Sequence, residues 1–264
     1  MEQVPPLGFN ALRLVVACVV LVGAARWSGG RVPTRDEWPR LIAVGLVGHG
    51  GYQLCFVLGL ARTSVTNSSL ILGCLPVAVL LLNIVSRRRE AVGGLQWAGV
   101  ALALLGLYLV VGAGEVTRDT LFGDLLVVAA VWCWAWYTIG SRQLLQRHPP
   151  LQVTACTTLV GAALGIPFGV PSLMRLDWVA VSGWAWVAVG VSGALALSLA
   201  YVLWYIGVQR LGSAHTAVYS NLVPVVAMTV AAVGLGEPIG WVKMVGAGLV
   251  LTALLLTRMQ RRGD

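Results

Sequence analysis

The sequence predicts an all-α polytopic membrane protein, a bundle of about nine transmembrane helices built from two related halves. Three observations carry that expectation. Hydrophobic residues make up 58% of the 264-residue chain and charged residues only 11%, a balance far from that of a water-solvated domain. The apolar residues fall in runs of roughly 20, the length a helix needs to cross a hydrocarbon core about 30 Å thick. Finally, Gly59, Arg62 and Pro76 recur as Gly207, Arg210 and Pro224, each pair 148 residues apart (207−59, 210−62, 224−76).

Taken in order, the first run is Leu7–Ala25, followed by a loop with Arg26, Arg31, Arg35 and Arg40. Leu41–Leu60 and Ser64–Ser86 come next with a very short connection, and Arg87, Arg88 and Arg89 close the third run. Leu95–Ala113 and Phe122–Gln143 follow, and a basic stretch with Arg142 and Arg147 leads to Leu151–Met174. Trp184–Val208, Ala214–Leu235 and Trp241–Met259 complete the set, with Arg258, Arg261 and Arg262 at its end. The short connections leave no room for an attached soluble domain.

The formal net charge of +8 follows this pattern. Alternate loops hold most of the arginines, whereas the opposite set holds only Arg62, Arg118, Arg175 and Lys243. This is the positive-inside asymmetry. It predicts a multi-pass protein of the plasma membrane with a cytoplasmic C-terminus and, with nine helices, an external N-terminus. The charge therefore records topology, and no nucleic-acid partner is expected. The lipid bilayer and a small-molecule substrate are the expected partners, with a homodimer admitted.

Cys18, Cys55, Cys74, Cys133 and Cys156 all lie in apolar runs without ligand spacing, so neither a disulfide framework nor a metal site is expected. No cofactor is expected either. No cleavable signal peptide is visible, because the first apolar run has no basic segment before it.

The duplication extends outward. Pro5-Pro6-Leu7 matches Pro149-Pro150-Leu151, Glu90 matches Glu237 and Gly99 matches Gly246. The halves are read as 1–115 with four helices and 116–264 with five. The helix around Trp132, Trp134, Trp136 and Tyr137 has no counterpart before Pro5. Five helices per repeat is an odd number, so the second copy would be inverted relative to the first.

Pro6, Phe9 and Arg13 opening a span, Pro76 and Pro224 within later ones, Leu235-Gly236-Glu237 at a helix end, and Gly246 with Gly248 in the last span together carry a resemblance. The chain resembles the EamA-type half of the drug/metabolite transporter superfamily over nearly its whole length. The resemblance implies a ten-helix inverted-repeat carrier, often an exporter of amino acids, metabolites or toxic compounds. The first helix of that pattern is absent here, which admits a start assigned too far downstream, a truncated product or a nine-helix variant.

Polar side chains inside hydrocarbon mark the residues that line a path. His49, Tyr52, Gln53 and Phe56 follow i, i+3, i+4, i+7 spacing and share one helical face; His49 serves either that wall or a helix interface. Ser198, Tyr201 and Tyr205 form the corresponding face of the seventh span, with Trp204 beside it. Such aromatic walls suit an organic cation or an apolar amino acid. Trp132 and Trp136 lie one turn apart, deep in the fifth span, and read as path lining or tight packing. Asn221 and Asn67 are hydrogen-bonding candidates. Arg13 must snorkel, pair or line water, and a substrate anion is its natural partner; the resemblance implies that it marks the cavity rim. Pro76 and Pro224 each remove a backbone hydrogen bond and are expected to kink their helices as paired gates. Asp124 and Glu237 fall at helix ends, which leaves His49 as the leading proton-relay candidate.

These features favour a secondary transporter, an exporter of a small metabolite, amino acid or organic cation working by alternating access. An enzyme would need converging acid, base or nucleophile, and His49, His148 and His215 lie on separate segments. The alternatives are a non-catalytic membrane partner, a truncated inactive carrier or a passive pore, although a pore should show a ring of charges or a filter-like loop.

Overall fold

The computed structural model describes residues 3–29, 33–85, 94–112, 117–221 and 240–259, with isolated positions between 223 and 234. All regular elements among the described residues are helical. They are α1 Pro6–Trp27, α2 Arg35–Leu60, α3 Val65–Val85, α4 Gly94–Gly112, α5 Arg118–Leu145, α6 Pro150–Met174, α7 Gly183–Leu211, α8 Ser213–Val218 and α9 Trp241–Met259. Six of them, α1, α2, α3, α5, α6 and α7, are long and apolar enough to cross a membrane. The predicted eighth span lies mostly outside the described residues, as do Pro224 and Glu237. The all-α polytopic class is the one expected.

Local chemistry starts α1 and α6 in the same way. Pro5 and Pro149 stand before them with extended backbones (φ −56°, ψ 145° and φ −58°, ψ 142°), and a second proline opens each helix. Proline suits that position because its missing N–H would be unpaired there anyway. Within α3 the helix breaks at Gly73-Cys74 and restarts at Leu75, so the interruption falls in the turn just before Pro76, where a proline's missing N–H and its ring act.

The chain divides into two compact units. The first comprises Met1–Leu58 and Trp136–Ser213, the second Gly59–Ala135 and Ala214–Asp264. Each therefore draws on both halves of the sequence.

In the first unit α1 and α6 run antiparallel through small-residue contacts. A methyl added at Gly8 would meet Ser172, one at Gly169 would meet Ala11 and Leu7, and one at Gly165 would meet Leu14. Close backbone approach through small residues is how helices pack without a hydrophobic driving force between them. The outward face of α7 is apolar: Val187, Val191, Leu195, Leu199 and Leu203, spaced four apart, are each about half exposed, as a lipid-facing stripe requires.

One end of this unit is basic and tied together by polar contacts. Arg40 donates through Nε to the Gly140 carbonyl (2.9 Å) and also to Gln143. Glu37 accepts from the Thr34 amide (3.0 Å) and hydroxyl (3.1 Å), and pairs with His148 (2.8 Å) and Arg147 (3.5 Å). Glu37→Gln is therefore expected to lower the thermal unfolding temperature in detergent, whereas Asp36→Asn at its exposed neighbour leaves it unchanged. Equal unfolding temperatures for the two variants would remove Glu37 as the tether.

In the second unit α4 and α9 pack closely, and a methyl on Gly106 would meet the Gly246 carbonyl at 2.8 Å. Val77, Leu80, Ala103 and Ala253 form one buried apolar cluster among its described residues. Asp124 lies near a helix end, as the sequence places it, in the second turn of α5, buried, accepting from the Thr63 hydroxyl (2.6 Å) and the Asn67 amide (3.3 Å). These bonds tie the short α2–α3 connection to α5, and Arg62 faces Asp119 at 3.6 Å beside them.

Candidate functional site

The polar residues of the first unit converge where α2 and α7 each depart from α-helical geometry. Gly45–Gly51 in α2 and Ser192–Leu199 in α7 are π-helical, a local widening that recurs at functional sites. Each is pressed against a neighbouring helix by a glycine. A methyl at Gly45 would meet the Val160 Cβ (2.7 Å) and the Thr157 carbonyl (2.8 Å); one at Gly193 would meet the Val16 Cβ (2.8 Å) and the Arg13 carbonyl (2.9 Å). Gly45 and Gly193 are 148 residues apart (193−45), and the two partner pairs are 144 apart (157−13, 160−16). Those are the spacings that relate Gly59 to Gly207 and Pro5 to Pro149.

His49 is fully buried. Its Nε2 lies 2.9 Å from the Tyr137 hydroxyl and 3.3 Å from the Thr158 hydroxyl. The ring meets Tyr137 edge-on with centroids 4.8 Å apart, and Tyr201 at 4.7 Å. Its Nδ1 has no partner among the described residues. Gln53, one turn on, donates from Nε2 to the Tyr201 hydroxyl at 2.8 Å, across a separation of 148 residues. The Gln53 Oε1 is buried and unpartnered among the described residues. Tyr205 is fully buried and stacks on Tyr137 with centroids 4.5 Å apart.

The four residues expected on one face of α2 all lie at or beside this cluster. His49 and Gln53 point into the buried cluster, while Tyr52 and Phe56 form a stacked pair with centroids 5.6 Å apart. Arg13 is half-buried, with its guanidinium 5.8 Å from the Phe9 ring centroid. Tyr52 and Tyr201 are its electrostatic neighbours. No carboxylate pairs with it among the described residues, and its buried Nε has no acceptor there. Asn10, one turn earlier on α1, is buried with an unpartnered Oδ1.

Other expected residues stand apart. Ser198 is buried but donates back to the Gly193 carbonyl of its own helix (2.9 Å). Trp132 and Trp136 are 42% and 45% exposed, so neither indole is tightly packed. The Asn221 side chain and Pro224 lie outside the described residues. Sequence reasoning passed over Tyr137, Thr138, Thr157 and Thr158, all fully buried. The Thr154, Thr157, Thr158 spacing on one helical face was the available signal. No group of three or more histidine, cysteine or acidic side chains that could hold a metal occurs among the described residues, and none of the five cysteines is in a disulfide.

A polar, aromatic-walled cluster inside an apolar helical unit is what a carrier of small solutes requires, and comparison with known proteins agrees. Residues 1–112 and 121–259 match the EamA-like transporter family. The chain is 32% identical to the "Uncharacterized transporter YyaM" of Bacillus subtilis, over 81% of this chain and 71% of that one. It is 29% identical to the "Probable terminal-alkyne amino-acid exporter" of Streptantibioticus cattleyicolor, over 97% and 85%. A solved crystal structure superposes with a TM-score of 0.72 at 24% identity, covering 99% of this chain and 90% of that one, which establishes the fold. With the family match spanning nearly every helix described above, the chain belongs to the EamA-like transporter family, and it is a multi-pass membrane transporter rather than an enzyme.

Proposed function

We propose that this transporter exports small carboxylate-bearing metabolites, amino acids foremost, and that it does so by alternating access. The observation that carries the mechanism is the Gln53–Tyr201 hydrogen bond. The two residues occupy equivalent positions of the proposed repeats, 1–115 and 116–264, so the bond joins α2 of one repeat to α7 of the other at their shared pseudo-twofold axis. The mirrored glycine contacts of Gly45 and Gly193 support the same axis. Two equivalent helices, each with a π-helical stretch beside this bond, can exchange conformations about it at little net cost, as inverted-repeat carriers do.

Arg13 supports the substrate class. A guanidinium held in an apolar unit without a carboxylate partner among the described residues fits a substrate carboxylate, and the buried acceptors Asn10 Oδ1 and Gln53 Oε1 fit an ammonium group. The Tyr52/Phe56 pair offers an aromatic face to the remainder of the solute. Two relatives bear names of this kind: the exporter of Streptantibioticus cattleyicolor and a "Probable amino-acid metabolite efflux pump" of Salmonella typhimurium. In this reading the basic end of the first unit faces the cytoplasm and the membrane is the plasma membrane.

The test is transport in proteoliposomes against a panel of amino acids and organic cations, with and without an imposed pH gradient. Gln53→Leu and Tyr201→Phe should each slow turnover at least roughly fivefold, the equivalent of about 1 kcal/mol for one hydrogen bond. The double variant should be no slower than either single one, because both remove the same bond. Wild-type turnover in both single variants would overturn the axis. A gradient dependence that His49→Gln abolishes would assign the coupled proton to His49.

A further inference from the structure

The basic end of the first unit holds two cavities of different character. One, of about 410 Å³, brings Asp36 and Glu37 together with Arg40 and Arg147, so its charges are balanced. The other, of about 520 Å³, is lined by Arg142, Gln146, Gln209 and Arg210 over a buried floor of Leu145 and Val208. No carboxylate lines this second cavity, and neither arginine has an ion-pair partner among the described residues. Its walls are braced, because the Gln209 Nε2 donates to the Leu145 carbonyl at 2.6 Å and so joins the end of α5 to the end of α7.

The depth of this cavity is informative. It lies at the last turns of two apolar spans, Arg118–Leu145 and Gly183–Leu211, where hydrocarbon gives way to headgroups. The half-exposed stripe Leu195, Leu199, Leu203 continues in steps of four through Gly207 to Leu211, itself half exposed and part of the cavity wall. An apolar track that ends at a pair of cations with no carboxylate partner among the described residues has the pattern of an amphiphile with an anionic head. A soluble anion would need the cations but not the track.

We propose that Arg142 and Arg210 bind the phosphate of an anionic phospholipid whose acyl chain lies along the α7 stripe. Guanidinium groups suit phosphate oxygens through paired N–H donors. Basic pockets between spans on the cytoplasmic side are where anionic headgroups are captured. The site is separate from the Arg13 cluster and does not depend on the substrate assigned to it.

The full-length protein in detergent tests the proposal by titration with phosphatidylglycerol, phosphatidylcholine or inorganic phosphate, following thermal unfolding and bound lipid by native mass spectrometry. Phosphatidylglycerol should raise the unfolding temperature and appear as a retained adduct, while the other two do neither. Arg142→Gln/Arg210→Gln should bind phosphatidylglycerol at least tenfold more weakly, whereas Arg175→Gln at the opposite end of the unit binds as wild type. Arg210→Gln alone, at an exposed rim position, should weaken binding too and covers the case in which the double variant fails to fold. Undiminished phosphatidylglycerol binding in Arg210→Gln would overturn the site. An equal response to inorganic phosphate would overturn the lipid assignment in favour of a soluble phosphate ester.

Discussion

Arg13→Gln is expected to reduce transport of a carboxylate-bearing substrate roughly 10- to 150-fold, the loss of a charge-assisted hydrogen bond being worth about 1.5–3 kcal/mol. Uncharged or cationic solutes carried by the same protein should be affected far less. The expectation rests on a guanidinium whose buried Nε has no acceptor, and which has no carboxylate partner, among the described residues. Gln keeps a planar donor on a shorter side chain, and Arg13 is only half-buried, so loss of folding is not anticipated. Arg13→Lys should recover part of the rate, since an ammonium supplies the charge without the planar fork. The discriminating measurement is initial rate against substrate concentration for a matched pair of solutes, one bearing a carboxylate and the other its amide. Equal losses for acid and amide would show that Arg13 holds the helices rather than the substrate.

Gly161→Ala is expected to be a strongly damaging single-methyl change in the first unit. The added carbon would collide with the His49 Cβ and meet the Gly50 nitrogen at 2.9 Å and the Gly45 carbonyl at 3.1 Å. Two of these three are backbone atoms, which cannot step aside as the end of a flexible side chain could. Overpacking of this kind typically costs about 1–3 kcal/mol, and here α2 and α6 must separate for it to be relieved. That separation would also pull His49 away from Thr158. Gly190→Ala on α7 is the control, because a methyl there meets nothing within 4 Å and alanine is the better helix former by about 1 kcal/mol. Thermal unfolding of the two variants in detergent should move in opposite directions. A Gly161→Ala protein as stable as wild type would mean that the α2–α6 contact is looser than this geometry requires.

The helices were legible because membrane insertion imposes its own grammar. A span must be long, apolar and internally hydrogen-bonded, so run length and flanking arginines place α1, α6 and α9 within a few residues of where they lie. The candidate site was legible only in part. His49, Gln53 and Tyr201 stood out as polar groups in hydrocarbon, and their helical spacing pointed inward. Tyr137 and the α6 threonines were passed over because hydroxyls are unremarkable in such helices, where they bond back to their own carbonyls. Thr157, for example, donates to Val153 at 2.8 Å. The π-helical turn between Gly45 and Gly51 was illegible for a different reason: a count of 3.6 residues per turn cannot anticipate a local shift of angular register.

The sequence alone determined the class, the position of most spans, the offset of 148 that pairs its segments and the polar residues worth following. Each of these depends on composition and local spacing, which solvent and backbone geometry read one helix at a time. The tertiary structure decided that each compact unit draws on both halves of the chain, and that Gln53 bonds Tyr201 rather than merely matching it in spacing. It also decided that Asp124 is buried and that Arg142 and Arg210 share a cavity lined by no carboxylate among the described residues. Those facts join residues from 57 to 148 positions apart. They depend on which helix faces lie against each other, a choice made by glycine contacts and hydrogen bonds that only the folded chain brings together.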